Sequence, residues 1–244
     1  SLLSCSIFRH SEEHESEEKL EPYDQFAFQR SFPDKDFDWK GWKNSMVDIR
    51  MATKAKSKTS DCSGNTGNWT EQGPANVGGR CNTLAVKPDD ENTVLAGFAG
   101  GGIFKSTDAG LNWHPVFDDH LELCIGHIIF DPNDPNVVYA GTGDPNLPSI
   151  VFNGDGVFKS TDAGETWSYL GLSEQGIISK IVVNPVSPKT LLAACMGNPY
   201  VRDDQRGIYK STDGGEHWQQ VLFVSNQAGA SDLVQSPVNP NILY

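Results

Sequence analysis

The sequence predicts an all-β protein, a β-propeller made of repeated four-stranded blades. Two observations carry this prediction. The first is a segment of the form Ser-Thr-Asp-x-Gly-x-x-Trp, which occurs three times and begins at Ser106, Ser160 and Ser211, 54 and 51 residues apart. The second is a pair of short apolar runs, separated by a proline turn, that precedes each segment. A repeat of about fifty residues with four short strands has the size of one propeller blade.

The first strand of each unit is expected to end just before an x-Pro pair. The apolar runs occupy residues 84–86, 128–130, 181–183 and 233–235, and the prolines are Pro88, Pro132, Pro185 and Pro237. A second run follows each turn, at residues 94–96, 137–140, 191–193 and 242–244. Such β-branched and aromatic runs, bounded by Gly, Pro, Asn and Asp, are typical of strands. Each unit is therefore predicted as strand, proline turn, strand, loop, strand, Asp-Gly turn and strand.

The aspartate of each repeated segment is expected to hold a turn. A carboxylate at this place accepts hydrogen bonds from backbone N–H groups ahead of it. The glycine supplies a positive φ, and the tryptophan begins the next strand and packs under the turn. We therefore predict a structural role, not a catalytic one, for Ser106, Asp108, Gly110, Trp113, Ser160, Asp162, Gly164, Trp167, Ser211, Asp213, Gly215 and Trp218.

The repeats divide the chain into three parts. Residues 1–22 are interpreted as a signal- or lipoprotein-like remnant with an acidic linker, and residues 23–68 as an aromatic-rich arm and linker. Residues 69–244 hold three blades and the first two strands of a fourth, so we expect an incomplete ring and a fragment of a longer protein. The start of the chain reads like the end of a signal peptide's apolar region and also fits a bacterial lipoprotein box with Cys5 as the lipidated residue, while an ordinary stretch of chain is the alternative.

Charge and hydropathy exclude two classes of function. The net charge is −13, and residues 71–244 alone hold 9 basic and 20 acidic side chains. Phosphate contacts need clustered Lys and Arg, so nucleic acid is not an expected partner. No run of 18 apolar residues occurs, so no transmembrane segment is expected.

The three repeated segments are Asp-boxes, also called BNR repeats, and residues 69–244 resemble Asp-box propellers. The resemblance is to sortilin-like N-terminal propellers and to the xyloglucanase-like and sialidase-like glycosidase propellers. It extends to the large secreted or surface proteins of Bacteroidetes-type bacteria, many of them exported by the type IX system. Residues 73–80 (GPANVGGR) are similar to the start of those propellers. The resemblance implies an extracellular or outer-cell-surface location in a bacterium.

The glycosidase side of the resemblance can be compared residue by residue. Sialidases carry an early Arg-Ile-Pro signature and an arginine triad. This chain has no Arg-Ile-Pro, and its propeller arginines are Arg80, Arg202 and Arg206. Xyloglucanase-like enzymes have an aspartate after the second strand of the first blade, where this chain has Ala99. Glycoside hydrolysis usually needs two carboxylates, so one is missing unless Asp144 of the second blade replaces it.

The candidate ligand-binding residues lie on the face opposite the Asp-boxes, in loops that a rigid scaffold would present. The long loops between the second and third strands of blades 2 and 3 contribute Asp144, Asp155, Arg202, Asp203, Asp204 and Arg206. A polar column, five residues before each x-Pro proline, contributes Thr83, His127, Lys180 and Asp232 and is expected at the mouth of the central channel. Channel walls are also polar because they hold water, so a wet channel and a ligand site both stay open.

We expect this face to bind an extracellular protein or a polysaccharide, without a cofactor. One alternative is a glycoside hydrolase whose site is completed by blades beyond residue 244, with Asp144 as its catalytic candidate. Another is a structural scaffold that binds no small ligand. Ca²⁺ prefers oxygen ligands such as the carboxylates of Asp144, Asp203 and Asp204, although we favour solvated loop carboxylates as the explanation of these residues.

Overall fold

Three four-stranded antiparallel sheets follow one another along the chain in the computed structural model, and in each sheet neighbouring strands are consecutive in sequence. Blade 1 is β1 (Cys81–Lys87), β2 (Asp90–Phe98), β3 (Ile103–Ser106) and β4 (His114–Pro115). Blade 2 is β5 (Ile125–Phe130), β6 (Val138–Thr142), β7 (Val157–Ser160) and β8 (Ser168–Gly171). Blade 3 is β9 (Ile177–Val183), β10 (Leu191–Gly197), β11 (Gly207–Ser211) and β12 (Gln219–Leu222). The predicted all-β class and blade pattern are confirmed.

The structure describes residues 38–59, 79–147 and 152–244. The chain divides into a unit of residues 1–37 and a unit of residues 38–244, so everything described belongs to the second unit. The signal- or lipoprotein-like remnant with Cys5, the arm up to residue 37 and residues 60–78 lie outside the described residues. The predicted domain boundaries therefore stay predictions.

The chain beyond β12 begins a fourth blade, as predicted. Val234 and Tyr244 exchange backbone hydrogen bonds of 3.0 and 2.9 Å, and the Ser236 N–H donates to Ile242 O at 2.9 Å. This antiparallel pairing joins the two apolar runs on either side of Pro237. The blade pattern thus covers three blades and the first hairpin of a fourth, and no closed ring is formed by the described residues.

Part of the segment expected as an arm and linker is a helix, α1 (Trp39–Thr59). Asp38 caps its N-terminus, because its Oδ1 accepts a hydrogen bond from the Gly41 N–H at 2.9 Å. The alanines and lysines in its second half are good helix formers. No helix was predicted here, so α1 is a finding of the structure.

Apolar side chains on both faces of each sheet pack one blade against the next. The largest shared cluster between blades 1 and 2 contains Leu95, Ile103, Phe117, Ile125, Ile128, Phe130, Val138, Ala140, Phe158, Ala163 and Trp167. The cluster between blades 2 and 3 contains Tyr139, Val157, Leu172, Ile178, Ile181, Val183, Leu191, Ala193, Cys195 and Tyr209. Because alternate residues of a strand point to opposite faces, each blade supplies side chains to two such clusters.

One face of blade 1 is not covered by another blade among the described residues. Leu84 and Val86 are 64% and 54% exposed, whereas Ile128 and Phe130, at the same repeat positions in blade 2, are 3% and 6% exposed. Leu84 lines an open depression of about 1050 Å³. The same repeat position is therefore core in one blade and surface in another, depending only on its neighbour.

The three Asp-box turns have the same hydrogen bonds. In blade 1 the Ser106 hydroxyl donates to Asp108 Oδ1 at 2.8 Å and accepts from the Gly110 N–H at 2.9 Å. Asp108 Oδ1 also accepts from the Asn112 N–H at 2.8 Å. Equivalent bonds join the Ser, Asp and Gly of blades 2 and 3. In each turn the Ser and Asp side chains thus accept hydrogen bonds from the backbone N–H groups that follow them.

Donors around the Asp-box carboxylates lower their pKa values. The Asn112 backbone N–H, with the Asn112 amide and the Ser106 hydroxyl, lowers the pKa of Asp108 to about 2. The His217 backbone N–H and the Ser211 hydroxyl lower the pKa of Asp213 still further. These groups are ionised hydrogen-bond acceptors at neutral pH, since donors to a carboxylate favour its charged form.

Two consecutive residues with positive φ close each Asp-box turn. The pairs are Ala109–Gly110, Ala163–Gly164 and Gly214–Gly215, with φ of 56° and 88°, 55° and 88°, and 83° and 98°. A Cβ on Gly164 would lie 2.8 Å from the Leu95 Cδ1 of blade 1, whereas a Cβ on Gly214 would have no atom within 4 Å. The second residue of each pair is thus a glycine at positive φ, and in blades 2 and 3 it also packs closely on a leucine of the preceding blade.

We predict that Gly164→Ala destabilises the propeller more than Gly214→Ala. Both substitutions place a side chain at positive φ, which costs about 1–2 kcal/mol. Only Gly164→Ala also forces a methyl group into Leu95, so its free energy of unfolding should fall by about 1–3 kcal/mol more. Chemical denaturation of both variants measures the difference, and equal losses would contradict the close packing at this turn.

Candidate functional site

The antiparallel blade order separates two faces of the propeller. The Asp-box turns and the hairpins between first and second strands lie on one face. The loops between second and third strands, and the connections from one blade to the next, lie on the other, which we call the loop face. All predicted loop candidates belong to the loop face by this topology.

Asp144 is fully buried at the start of the long blade 2 loop. Its Oδ2 accepts a hydrogen bond from Arg80 Nη2, just before β1, in an ion pair that joins blades 1 and 2. Its Oδ1 accepts from the Asn82 Nδ2 at 3.3 Å and from the Asn146 N–H at 3.2 Å. In this arrangement the carboxylate holds two loops together and does not meet solvent. Its predicted catalytic role has no support from this geometry and remains a prediction.

The polar column joins neighbouring blades. Thr83 Oγ1 accepts a hydrogen bond from the Ile128 N–H at 3.3 Å, and His127 Nδ1 accepts one from the Ile181 N–H at 3.3 Å. Each of these side chains therefore bonds to the first strand of the next blade. Lys180 continues the pattern, because its Nζ lies 3.7 Å from Asp232 Oδ1 at the start of the fourth blade. The structure brings His127, Lys180 and Asp232 together, as expected for one column.

Burial keeps His127 neutral. Desolvation, and then the charge of Lys180, lower its pKa to about 4 against the opposing effect of Asp232. Since Nδ1 accepts the Ile181 N–H bond, the single proton of the neutral ring is assigned to Nε2. Protonation would remove this acceptor and break the bond between β5 and β9.

The blade 3 loop is organised around buried Arg206. Its guanidinium donates to Met196 O, Asn198 O and Val201 O at 2.6, 2.6 and 2.7 Å. Arg206 therefore shapes the loop from inside. Arg202 and Asp204 are exposed, and Asp203 is partly buried; burial raises the pKa of Asp203 above its usual value.

Asp155 of the blade 2 loop is bound by α1. Its Oδ1 lies 2.6 Å from Lys43 Nζ, and the side chains are only 21% and 16% exposed. Glu122, in the connection between blades 1 and 2, belongs to the same group of charges. Burial, and then the charge of Asp155, raise the pKa of Glu122 to about 7, while Lys43 opposes this rise.

Sequence reasoning missed Glu122, Lys43 and the role of Arg80. Glu122 lies in a connection between blades, where no repeat position marks it, and Lys43 precedes the propeller. Arg80 was noted only as one of three arginines, although its position directly before β1 places it beside the blade 2 loop. The Asp38 cap followed by Lys43, Val47 and Arg50 at helical spacing is the signal that could have identified α1 and its inner face.

In the described ranges, one group of side chains has the spacing of metal ligands. It lies on the Asp-box face. It consists of Asp213, Glu216 and His217, whose ligand atoms lie within 4.8 Å of one another. His217 Nδ1 is hydrogen-bonded to Asp213 Oδ2 at 2.7 Å. The Asp-box turn brings these side chains together, so the cluster needs no metal ion to explain it. Ca²⁺ binding by Asp144, Asp203 or Asp204 stays a prediction.

We predict that His127 makes the propeller sensitive to acid. Its folded-state pKa is below its unfolded value, so the unfolded chain binds the extra proton and stability falls as pH drops from about 7 to about 5, by about 2 kcal/mol. The measurement is the free energy of unfolding of wild type minus that of His127→Asn at each pH. Glu122, whose pKa is raised, changes stability in the opposite direction, but it is present in both proteins and cancels. If the difference in free energy of unfolding between the two proteins did not change with pH, the lowered pKa of His127 would be contradicted.

Three comparisons with known proteins agree with this fold. The chain is 30% identical over 176 residues to a xyloglucanase of Acetivibrio thermocellus, which covers 57% of this chain and 19% of that protein. It is 24% identical over 176 residues to a xyloglucanase of a Paenibacillus species, covering 66% of this chain and 16% of that protein. The crystal structure of an ancestral GH74 enzyme has a TM-score of 0.54 at 21% identity, covering 68% of this chain and 22% of that one.

The chain thus spans about a fifth of the length of the curated relatives it matches. No described helix is both long and apolar enough to cross a membrane. The family profile described as sortilin, neurotensin receptor 3 (Sortilin-Vps10) matches residues 101–233, more than half of the chain. These residues include all three Asp-boxes and the blade 2 and blade 3 loops. The chain belongs to this sortilin family of Asp-box propellers.

Proposed function

We propose that this propeller binds a polysaccharide through its loop face, as part of a secreted or cell-surface bacterial protein. One observation carries the proposal: the loop face combines exposed charged groups with an exposed aromatic ring on a rigid scaffold. Arg202 and Asp204 extend from the blade 3 loop, and Phe152, 45% exposed, from the blade 2 loop. Carboxylates and guanidinium groups hydrogen-bond sugar hydroxyls, and an aromatic ring packs on the apolar face of a sugar.

The relatives favour a polysaccharide over a protein as the ligand class. Both curated relatives described above are xyloglucanases, which makes xyloglucan the first polysaccharide to try. Burial of Asp144 and Arg206 shifts the expected contacts to the exposed or partly buried residues Arg202, Asp203 and Asp204. The secreted location and export by the type IX system belong to this proposal.

Retardation of the protein in native gels that contain xyloglucan tests the proposal. We expect wild type to be retarded, and the double variant Asp203→Ala/Asp204→Ala and the variant Phe152→Ala each to bind about tenfold more weakly, a loss of about 1.4 kcal/mol. The matched control is Glu91→Ala/Glu216→Ala, which removes two exposed carboxylates from the Asp-box face and should bind like wild type. Absence of retardation, or equal effects of both double variants, would refute the proposal.

A second candidate function is hydrolysis of the same polysaccharide. Glu122 favours it, because a carboxyl group with a pKa of about 7 remains partly protonated near neutral pH and can donate a proton to a glycosidic oxygen. Asp155, whose charge acts on Glu122, supplies the second carboxylate that this reaction requires. Lys43 would have to leave Asp155 before a sugar could reach it.

Release of reducing ends from xyloglucan tests this second candidate. If the chain hydrolyses it, Glu122→Gln should lower the rate by about 100-fold or more, because the side chain keeps its shape and loses its acidic proton. Glu91→Gln, which changes an exposed carboxylate on the Asp-box face, is the control and should retain activity. No release by wild type, or no effect of Glu122→Gln, would exclude this role.

A further inference from the structure

Charge divides the described chain at α1. Residues 39–59 hold six basic side chains and one acidic one, whereas residues 71–244 hold 9 basic and 20 acidic ones. Opposite charges of this size attract the helix to the propeller. The contacts of α1 show which groups of the propeller its basic side chains reach.

The Lys43 side chain is largely buried against the propeller, at 16% exposed. Its Nζ lies 2.6 Å from Asp155 Oδ1 and donates to Ser173 O at 3.3 Å. Glu122 belongs to the same group of charges, since the charges of both Asp155 and Lys43 act on its carboxyl. Lys40, one helical turn earlier, reaches Glu174 at 3.4 Å. The loop face thus surrounds a lysine ammonium group with carboxylate and carbonyl oxygens.

Arg50 makes the second anchor. Its Nη2 donates to Asp118 O at 2.5 Å, and its Nη1 donates to His120 O. Arg50 follows Lys43 by seven residues, two helical turns or about 10.5 Å along the axis. The two cations therefore lie on the same side of α1, and the oxygens that receive them are held at a matching separation by the connections that follow β4 and β8.

The docking of α1 differs in kind from the packing of the blades. The buried apolar clusters include no side chain of the described part of α1, and its basic side chains Lys40, Lys43 and Arg50 reach the blades through ion pairs and hydrogen bonds. An exposed ion pair such as that of Lys40 and Glu174 contributes about 0–1 kcal/mol. In the enclosed pair of Lys43 and Asp155, the cost of desolvating both charges offsets much of their attraction. An element held in this way can leave its site at a small fraction of the free energy of unfolding, while the blades remain folded.

We infer that an acidic rim on the loop face is a docking site for a basic helix and that α1 is its exchangeable occupant. The acidic rim consists of the carboxylates of Glu122, Asp155 and Glu174 and the carbonyl oxygens of Asp118, His120 and Ser173. A helix of a partner protein that carries a lysine and an arginine seven positions apart fits the same oxygens. This inference goes beyond polysaccharide binding and does not depend on it.

Binding of a fluorescent peptide of residues 38–59 to the full chain, followed by anisotropy, tests the inference. In wild type α1 occupies the site and competes with the peptide. In Lys43→Ala/Arg50→Ala the helix loses both anchors, so the peptide should bind at least about tenfold more tightly than to wild type. The control Lys189→Ala/Lys210→Ala removes two exposed lysines of blade 3, changes the net charge equally, and should behave like wild type.

Two further binding measurements distinguish a specific site from general attraction between opposite charges. A peptide with Lys43→Ala and Arg50→Ala should bind at least about tenfold more weakly, and adding Asp155→Asn/Glu174→Gln to the Lys43→Ala/Arg50→Ala chain should weaken binding of the unmodified peptide similarly. Equal peptide affinity for wild type and Lys43→Ala/Arg50→Ala, indifference to Asp155→Asn/Glu174→Gln, or no binding to any form would overturn the inference.

Discussion

The three described blades carry apolar side chains on both faces, and the structure depends on packing the facing sides of neighbouring blades together. Leu95 of blade 1 and Ile128 of blade 2 are almost completely buried because their blades meet. Leu84, at the repeat position of Ile128, is mostly exposed on the face of blade 1 that no other described blade covers. Burial is therefore a property of the stack of blades and not of a single sheet, as in other repeat architectures.

Polar groups fix how neighbouring blades are aligned within this apolar stack. Thr83 and His127 each accept a backbone N–H from the next blade, and the pair of Arg80 and Asp144 ties blades 1 and 2 on the loop face. The Asp-boxes hold the opposite face, where glycine at positive φ lets a turn approach the neighbouring blade. Both faces are thus fixed, so the exposed loop side chains are presented from a rigid base and can carry binding.

Much of the fold could be predicted from sequence because each local pattern that indicates a strand or a turn occurs at least three times in the chain. The Ser, Asp, Gly and Trp of each Asp-box, together with the x-Pro pairs, located the blades, and the hairpin joining Val234 to Tyr244 was also predicted. The helix α1 was not, since its Lys-rich sequence occurs once and its docking depends on charges that only the folded loops bring together.

The candidate site was predicted in part. The polar column was expected at a channel mouth, and the structure shows that its members also join the blades. Asp144 and Arg206 are charged loop residues of the kind that bind ligands. Both are buried, however, and bond to groups within the protein. Sequence pattern identifies the loop but not which side chains turn inward, because that depends on contacts such as those of Arg206 with three carbonyl groups.

Our central claim is that apolar packing holds the blades together, whereas charge holds α1 on the loop face. Amide hydrogen exchange of the full chain at about 50 mM and about 500 mM NaCl tests it most directly, because salt screens exposed charges but not buried apolar contacts. We predict slow exchange in β5, β6, β9 and β10 at both salt concentrations, and exchange in α1 that is faster and accelerates at high salt. An α1 as protected as these strands at the higher salt concentration would contradict the claim.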